Sequence, residues 1–257
     1  MSRPLQAGER VLFLDSKKRR YLVTLEEGGE FHTHSGFVPH DDVIGRNEGV
    51  TIASTRSSRY LVVRPTLADF VLKMPRGAQV IYPKDLGPIL MLADIAPGVK
   101  VLESGVGSGA LSMTLLRAGA LVTGYELRSD FASRAQRNVT SFLGPESAER
   151  YDVQERDCYE GIDGTDFDRV VLDLPEPWQV VSHAEGALVP GGIIIAYTPS
   201  ILQASQLRER LEKSSFDMAA TVEVLHRGWH IEGSAVRPDH RMVGHTGFLT
   251  HARLVGS

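Results

Sequence analysis

The amino-acid sequence predicts an α/β fold: a Rossmann-like, doubly wound, mostly parallel seven-stranded sheet with an antiparallel last strand, preceded by a small all-β domain. Residues 1–65 hold short strand-like runs divided by turn residues, whereas strand and helix patterns alternate from residue 66 onward. Such alternation is typical of parallel sheets with helices on both faces. The last two strand-like runs are joined without a clear helix, which favours an antiparallel ending. We therefore expect a β-rich domain at 1–65 and a larger domain at 66–257.

The N-terminal elements follow from apolar runs and the turns between them. RVLFLD (10–15) and RYLVTL (20–25) flank a Ser-Lys-Lys-Arg segment and predict a hairpin. EFHTHSG (30–36) alternates with a period of two, and GVTIAS and YLVVRP add further strand-like runs. The basic run 17–20 is the only dense cluster of cations. We interpret it as a solvated hairpin face, with a phosphate-binding edge as the alternative.

The C-terminal elements follow from the same periodicities. TLADFVLKM and KDLGPILMLADIA predict two helices before the first strand of the large sheet. The next five strands are KVLESG, LVTGYE, YDVQERD, DRVVLDL and GGIIIAY, and the helices between and after them lie near 108–118, 130–143, 179–188 and 200–214. Two late strands near 218–228 and 247–255 complete the sheet.

Composition limits the class of protein. Apolar residues make up 42% and charged residues 23% of the 257 residues, which is close to the globular average and excludes a disordered chain. No apolar run approaches the ~20 residues that span a bilayer, and the opening MSRPLQAGER lacks the apolar core of a signal peptide. The lone Cys158 fits a reducing compartment. We therefore expect a soluble, cytoplasmic protein with no membrane partner.

A glycine-rich loop joins the first strand of the large sheet to the next helix. It consists of Glu103, Ser104, Gly105, Val106, Gly107, Ser108 and Gly109. Glycines here allow a tight turn and close approach of the backbone to a ligand. The spacing also satisfies the dinucleotide fingerprint, and Glu126, at the end of the next strand, is placed to accept hydrogen bonds from ribose hydroxyls. On these residues alone, a nicotinamide cofactor and S-adenosylmethionine both stay open.

Acidic residues at strand ends distinguish between the two candidate cofactors. Glu103, directly before the loop, favours a cationic ligand and disfavours a pyrophosphate. Asp157 and Cys158 follow the third strand, where the carboxylate could accept a hydrogen bond from an adenine amino group. Asp173 follows the fourth strand, at the edge where open α/β sheets bind ligands. Together these positions indicate S-adenosylmethionine as the cofactor, and a methyltransferase instead of a dehydrogenase.

No metal site is expected. His32 and His34 share one face of a possible strand, but no third ligand lies near them in the sequence. His226 and His230 lie in VEVLHRGWH, which we interpret as a strand without a zinc site. Cys158 is interpreted as a small apolar filler beside the adenine pocket and not as a nucleophile.

Several motifs match a known family in order and spacing across nearly the whole chain. They are YPKD (82–85), VLESGVGSGALS, DLPEPW (173–178), AYTPS (196–200), GWHIEG (228–233) and VGHTGFL (243–249). On these motifs the chain resembles the class I S-adenosylmethionine-dependent methyltransferases, specifically the tRNA (adenine-58-N1)-methyltransferases of the bacterial, actinobacterial type. The resemblance implies methyl transfer to N1 of adenosine 58 in the T-loop of tRNA, which gives 1-methyladenosine, by a homotetramer.

The resemblance also implies roles for single residues. Asp173 corresponds to the catalytic aspartate of the family, Tyr82 and Tyr197 to its active-site tyrosines, and His245 lies in a segment that borders the same pocket. The chemistry agrees, because N1 of adenine carries its own lone pair and methylation leaves a positive charge spread over N1, C6 and N6. A carboxylate that accepts a hydrogen bond from the N6 amino group would stabilise that charge.

Two other functions stay open at this point. A class I methyltransferase could act on a protein carboxyl group or a small molecule, although a catalytic carboxylate would repel a carboxyl acceptor. A non-catalytic tRNA-binding subunit would need a paralogous catalytic partner, which the intact glycine loop, Glu126 and Asp173 disfavour. Since the net charge is -4, we expect basic faces of several subunits to converge on the tRNA.

Overall fold

The computed structural model describes residues 3–77 and 79–255 of the chain. Two compact units make up the chain: one ends at Met74 and the other begins at Pro75. The first helix, Leu67–Lys73, therefore belongs to the first unit, and not to the second domain to which the sequence pattern assigned it.

The first unit is built from short antiparallel strands. Its elements are β1 (Arg10–Leu14), β2 (Arg20–Thr24), β3 (Glu30–Thr33), β4 (Gly36–Pro39), a 3₁₀ turn (His40–Asp42), β5 (Val50–Ala53), β6 (Arg59–Val63) and α1 (Leu67–Lys73). One sheet has the strand order β2-β1-β6-β5, and β3 pairs with β4 separately. Phe13, Phe31 and Tyr60 pack together in the core, with the rings of Phe13 and Phe31 stacked at 4.5 Å. The all-β expectation is confirmed for its strands.

The predicted basic hairpin is present. β1 and β2 pair in register from Arg10 opposite Thr24 to Leu14 opposite Arg20. Asp15 stabilises the turn by accepting hydrogen bonds from the backbone N–H groups of Lys17 and Arg19, both at 2.9 Å. Side chains in the basic run are exposed, and its two arginines form ion pairs with Asp15 and Asp69.

The second unit alternates helices and strands. Its elements are α2 (Pro83–Leu92), β7 (Lys100–Ser104), α3 (Ala110–Arg117), β8 (Leu121–Tyr125), α4 (Ser129–Leu143), α5 (Pro145–Ala148), β9 (Tyr151–Gln154), β10 (Phe167–Leu172), a 3₁₀ turn (Pro177–Val180), α6 (Val181–Ala187), β11 (Leu188–Thr198), α7 (Ile201–Leu211), β12 (Phe216–Glu223), β13 (Trp229–Glu232), β14 (Ala235–Pro238) and β15 (Phe248–Leu254).

Seven of these strands form the predicted doubly wound sheet. Their order is β12-β15-β11-β10-β7-β8-β9, and every neighbouring pair is parallel except the two that involve β15. The antiparallel last strand is therefore confirmed. The chain runs outward from β7 through β8 to β9 and then returns to β10 on the other side of β7. This reversal opens a crevice at the carboxyl ends of β7 and β10, where such sheets bind ligands.

The sequence analysis misjudged the segment before β15. It expected one strand near 218–228 and treated VEVLHRGWH as continuous, whereas β12 ends at Glu223 and a separate β13–β14 hairpin follows. The physical reason is exposure: Trp229 and Ile231 of the hairpin are 57% and 72% exposed. A hairpin whose apolar side chains face solvent leaves no core-facing pattern by which to recognise it.

Candidate functional site

The glycine loop lies at the crevice, between the end of β7 and the start of α3. Gly105 has a φ of +86°, and a Cβ atom there would lie 2.1 Å from the backbone oxygen of Asp173. Gly109 also has a positive φ, and a Cβ there would lie 3.2 Å from Ala135 of α4. The glycines therefore permit the turn, the close approach of the ends of β7 and β10, and the close packing of the start of α3 against α4. Val106 and Ser108 of this loop are buried.

Gly105→Ala is expected to destabilise the fold more than Gly98→Ala. Both positions have a φ near +85°, but a Cβ at Gly98 meets nothing within 4 Å. Gly98→Ala should cost only the backbone strain, about 1–2 kcal/mol, whereas Gly105→Ala adds overpacking of about 1–3 kcal/mol. Chemical denaturation measures the difference, and equal free energies of unfolding for the two variants would refute this account of the loop.

Glu126, at the end of β8, secures the loop. Its Oε2 accepts a hydrogen bond from the backbone N–H of Gly107 at 2.9 Å, and its Oε1 accepts one from the backbone N–H of Arg128 at 3.0 Å. The carboxylate is buried yet makes only these two hydrogen bonds in the described chain. Since each ionised oxygen can accept two, acceptor capacity remains for ligand hydroxyls.

Glu103 is a fully buried carboxyl group at the end of β7. Neither of its oxygens makes a well-formed hydrogen bond within the described residues. Burial raises the pKa of Glu103 to about 8. The neighbouring Ser112 acts to lower this pKa, whereas the charges of Asp173 and Glu126 raise it further. A buried acid without a partner is costly, so this site is suited to a cationic group supplied by a ligand.

Ser104 and Ser108 flank the glycines and are both buried. The backbone oxygen of Ser104 accepts a hydrogen bond from the backbone N–H of Asp173 at 2.9 Å, which joins the ends of β7 and β10. The hydroxyl of Ser108 has no hydrogen-bond partner in the described chain. After Glu103, Ser108 is therefore a second buried polar group without a partner in the described chain, and it is suited to a hydrogen bond with a ligand.

Asp157 and Cys158 lie after β9, in the loop next along the sheet. The carboxylate of Asp157 accepts a hydrogen bond from the backbone N–H of Tyr159 at 2.9 Å. Cys158 is buried in the hydrophobic core, and burial raises the pKa of its thiol to about 11. The thiolate population is therefore negligible near neutral pH, which agrees with a packing role.

Asp173 directly follows β10. Burial, reinforced by the charge of Glu126, raises the pKa of Asp173 to about 7. The segment after it is anchored at two points: the backbone N–H of Glu176 donates to the Tyr159 hydroxyl at 3.0 Å, and Gln203 Nε2 donates to the Pro175 oxygen at 2.8 Å. Asp173 is thus held on a rigid strand end beside the glycine loop, as the sequence predicted.

The two tyrosines that the motifs assigned to the site lie on other elements. Tyr82 is the N-cap residue of α2, directly before Pro83. Tyr197 lies near the end of β11, and its hydroxyl donates to the backbone oxygen of Thr246 at 2.6 Å. Burial raises the pKa of Tyr197 to about 12, with the charges of Asp173 and Tyr82 acting in the same direction. Tyr197 therefore lies within electrostatic range of both Asp173 and Tyr82.

His245 occupies a different position from the buried acids. It is exposed, and both ring nitrogens are engaged: Nδ1 with Glu223 Oε1 at 2.7 Å and Nε2 with the backbone oxygen of Pro199 at 2.8 Å. These two acceptors raise the pKa of His245. In the described chain this side chain therefore joins the ends of β11 and β12.

Glu223→Gln is expected to lower the pKa of His245. Because the pKa is raised in the folded state, the stabilisation from this contact is complete below the pKa of the unfolded chain and is lost as pH rises through the folded value. NMR titration of the imidazole, assigned with His245→Gln, measures the pKa directly. An unchanged pKa in Glu223→Gln would show that the contact does not form.

Some lining residues escaped the sequence analysis. A small cavity beside the loop is lined by Asp173, Gly105–Ser108, Ala110 and Leu111, and also by Gln79, Val80 and Ile81. No role had been assigned to Gln79. Lys84 and Asp85 were quoted as part of a motif but given no function, although two adjacent opposite charges beside a site tyrosine were a usable signal. Within residues 3–77 and 79–255 there is no cluster able to hold a metal ion, and no helix is long and apolar enough to cross a bilayer.

Known proteins share both units. A profile described as "tRNA methyltransferase complex GCD14 subunit" matches residues 59–236, and one described as "TrmI-like N-terminal" matches residues 4–52. The tRNA (adenine(58)-N(1))-methyltransferase TrmI of Thermus thermophilus is 38% identical over 246 residues, covering 95% of this chain and 96% of that protein.

Two solved structures are similar over almost their full lengths. A SAM-dependent O-methyltransferase from Thermotoga maritima has a TM-score of 0.93 and 32% identity, covering 98% of this chain and 95% of that one. The tRNA (m1A58) methyltransferase TrmI from Aquifex aeolicus has a TM-score of 0.87 and 28% identity, covering 99% of this chain and 100% of that one.

Proposed function

Since this chain belongs to the tRNA methyltransferase family of the GCD14 subunit and TrmI, we propose that it transfers a methyl group from S-adenosylmethionine to N1 of adenosine 58 in tRNA. The observation that carries the proposal is the set of acids at the crevice, with Asp173 beside the glycine loop and Tyr197 within electrostatic range of Asp173 and Tyr82. The reaction product is 1-methyladenosine.

The residues of the crevice fit S-adenosylmethionine. Glu103 is a buried carboxyl group without a well-formed hydrogen bond, suited to the ammonium of a methionyl group, and the buried Ser108 hydroxyl in the same loop has no partner in the described chain. Glu126 retains acceptor capacity for the ribose hydroxyls, and Asp157 is assigned to the adenine amino group. When bound, the cofactor supplies an electrophilic methyl group on a sulfonium.

Asp173 has the catalytic role in this proposal. N1 of adenine attacks with its own lone pair, so no general base is required. Formation of the N1–methyl bond would be matched by breakage of the methyl–sulfur bond, with a neutral thioether as the leaving group, so the positive charge passes to the base. The ionised Asp173 stabilises this charge by accepting a hydrogen bond from the N6 amino group. The rigid strand end keeps this carboxylate oriented without rearrangement during the reaction.

Tyr82 and Tyr197 hold the target base in this proposal. In a base pair or a stacked loop, N1 of adenine is hidden, so the nucleotide must be turned out of the stack and held between aromatic groups. Tyr82 lies at the start of α2 and Tyr197 near the end of β11, so the two tyrosines come from different elements. His245 is assigned to the wall of the same pocket through its contact with Pro199, two residues after Tyr197.

Other acceptors are less favoured. A carboxyl acceptor would enter a crevice that already contains Glu103, Glu126 and Asp173, and like charges repel strongly where solvent is excluded. The Thermotoga relative carries the description of an O-methyltransferase, so an oxygen acceptor is the second candidate. A purely tRNA-binding subunit would have no use for the unpaired Glu103.

The state of assembly and the compartment are part of the proposal. A chain with a net charge of -4 is a poor ligand for a polyanion, so a homotetramer that brings the basic hairpins of several subunits together is supported by charge. The exposed basic run 17–20 is the surface assigned to this contact. The single cysteine supports a reducing compartment, and we place the protein in the cytoplasm.

The activity is tested by incubating the purified protein with S-adenosylmethionine and unmodified tRNA, followed by digestion and mass spectrometry of the nucleosides. We expect 1-methyladenosine with wild-type tRNA and none with tRNA that carries guanosine at position 58. A methylated oxygen, or 1-methyladenosine that persists in the guanosine-58 transcript, would contradict the proposed acceptor.

A further inference from the structure

A buried ion pair lies directly beside the site tyrosines. The ammonium of Lys84 donates to Asp85 Oδ1 at 2.8 Å and to the backbone oxygen of Val224 at 2.7 Å. The Lys84 side chain is 7% exposed and that of Asp85 is fully buried. Charges so deeply buried are retained only with complete hydrogen bonding, so this pair has a specific structural task.

The second oxygen of Asp85 connects the pair to Tyr197. Thr246 donates its hydroxyl hydrogen to Asp85 Oδ2 at 2.6 Å, and the backbone oxygen of Thr246 accepts from the Tyr197 hydroxyl at 2.6 Å. Hydrogen bonds therefore link Lys84 to Asp85 and Asp85 to the Thr246 hydroxyl, and the backbone of the same Thr246 holds Tyr197. These contacts join the start of α2, the end of β11 and the segment before β15.

Close packing makes Tyr197 sensitive to this segment. A Cβ at Gly247 would lie 2.5 Å from the Tyr197 ring, so the backbone after Thr246 lies directly against the aromatic face. The Tyr197 hydroxyl hydrogen is committed to Thr246, so the hydroxyl can offer a substrate only a lone pair. A shift of the segment would therefore move the ring and free the hydroxyl hydrogen.

We propose that Asp85 and Thr246 are positioning residues that set Tyr197 relative to Tyr82 for the target base. This inference rests on the proposed function, because it assigns these tyrosines to the base. Asp85 lies in the first turn of α2, and its backbone N–H donates to the backbone oxygen of Tyr82, the N-cap residue, at 2.9 Å. One residue is therefore linked to both tyrosines. Neither Asp85 nor Thr246 is assigned a contact with the base.

The test compares Thr246→Val, which keeps the shape but removes the hydroxyl, with Thr246→Ser, which keeps the hydroxyl. Thr246→Val leaves the Asp85 oxygen without its hydrogen bond, so the segment that holds Tyr197 should shift. We expect kcat/KM for tRNA to fall by about 5- to 50-fold in this variant. Thr246→Ser should restore most of this loss, and both variants should bind S-adenosylmethionine as the wild type does. Steady-state kinetics and calorimetry measure these quantities.

A second readout is independent of activity. With 3-fluorotyrosine incorporated and the signal assigned by Tyr197→Phe, the fluorine resonance of Tyr197 should shift or broaden in Thr246→Val and remain wild-type in Thr246→Ser. The wild type could make no 1-methyladenosine while the Tyr197 resonance still changes in Thr246→Val and not in Thr246→Ser. In that case the proposed function is wrong, but the dependence of the Tyr197 position on Thr246 is supported. Equal kinetics in Thr246→Val and wild type, equal losses in both variants, or an unmoved resonance would overturn the inference.

Discussion

Replacing Asp173 with asparagine is expected to lower the rate of 1-methyladenosine formation by about 10²- to 10³-fold at saturating S-adenosylmethionine and tRNA. Asparagine keeps the shape of the side chain and one hydrogen-bond acceptor but removes the charge that stabilises the methylated base. Asp173→Ala, which also removes the acceptor, is expected to be at least as slow. Single-turnover kinetics with quantitation of the nucleoside measures both rates.

The control for this variant is Asp166→Asn. Asp166 pairs with Lys100, and its side chain is 64% exposed, so its replacement should leave the rate at the wild-type level. Asp173→Asn should also bind S-adenosylmethionine with an affinity close to that of the wild type. A rate in Asp173→Asn within a few-fold of the control would contradict the catalytic assignment.

The pH dependence follows from the raised pKa of Asp173. Below about 7 the carboxyl group is protonated and cannot stabilise a cation, so kcat/KM for tRNA should rise with pH through this value. The sulfonium of a bound cofactor lowers the pKa of a nearby acid, so the rise should occur at lower pH when the cofactor is saturating. The rise should be absent in Asp173→Asn.

The same pKa predicts an effect on stability. The pKa of Asp173 is raised from 3.8 to about 7 on folding, so ionisation between these values favours the unfolded chain and stability falls as pH rises. Asp173→Asn should therefore raise the Tm of the ligand-free protein at pH 8 and leave it little changed near pH 4. An active-site acid that costs stability is common where function requires a buried charge.

Glu103→Gln is expected to weaken S-adenosylmethionine binding by about 10- to 100-fold, the usual loss for a hydrogen bond to a charged group. In the wild type, binding should strengthen as pH rises toward about 8, because the cationic ligand requires the ionised form of Glu103. The variant should lose this pH dependence. Isothermal calorimetry across pH 6 to 9 measures both effects.

Glu103→Gln should also make the ligand-free protein more stable at alkaline pH, since it removes a buried acid without a hydrogen bond. Weaker binding combined with higher intrinsic stability distinguishes loss of a ligand contact from misfolding. A variant that binds as tightly as the wild type would show that the ammonium is recognised elsewhere.

Much of the fold was predictable because the spacing of apolar residues and the positions of turn residues are local properties of the sequence. The strand before the glycine loop, the loop itself and the helix after it follow from residues adjacent in sequence, and the acids at Glu126 and Asp173 follow from where strands end. Parallel strands align their carboxyl ends, so these acids had to share one edge.

Contacts between distant segments were not predictable. Lys84 and Asp85 lie beside Tyr82 in sequence, but their partners Val224 and Thr246 are brought to them only by the packing of the second unit. His245 was placed at the pocket by its motif, and nothing local indicated that both its nitrogens would be engaged by Glu223 and Pro199. Such pairings depend on the whole sheet and leave no periodic signal.

The catalytic role of Asp173 is tested most directly by a tRNA that carries purine riboside at position 58. This base keeps N1 but lacks the N6 amino group. The wild type and Asp173→Asn are compared on this tRNA and on normal tRNA in single-turnover reactions. If Asp173 acts through N6, the asparagine substitution should be costly on adenosine and much less costly on purine riboside. An equal loss of rate on both tRNAs would contradict the mechanism.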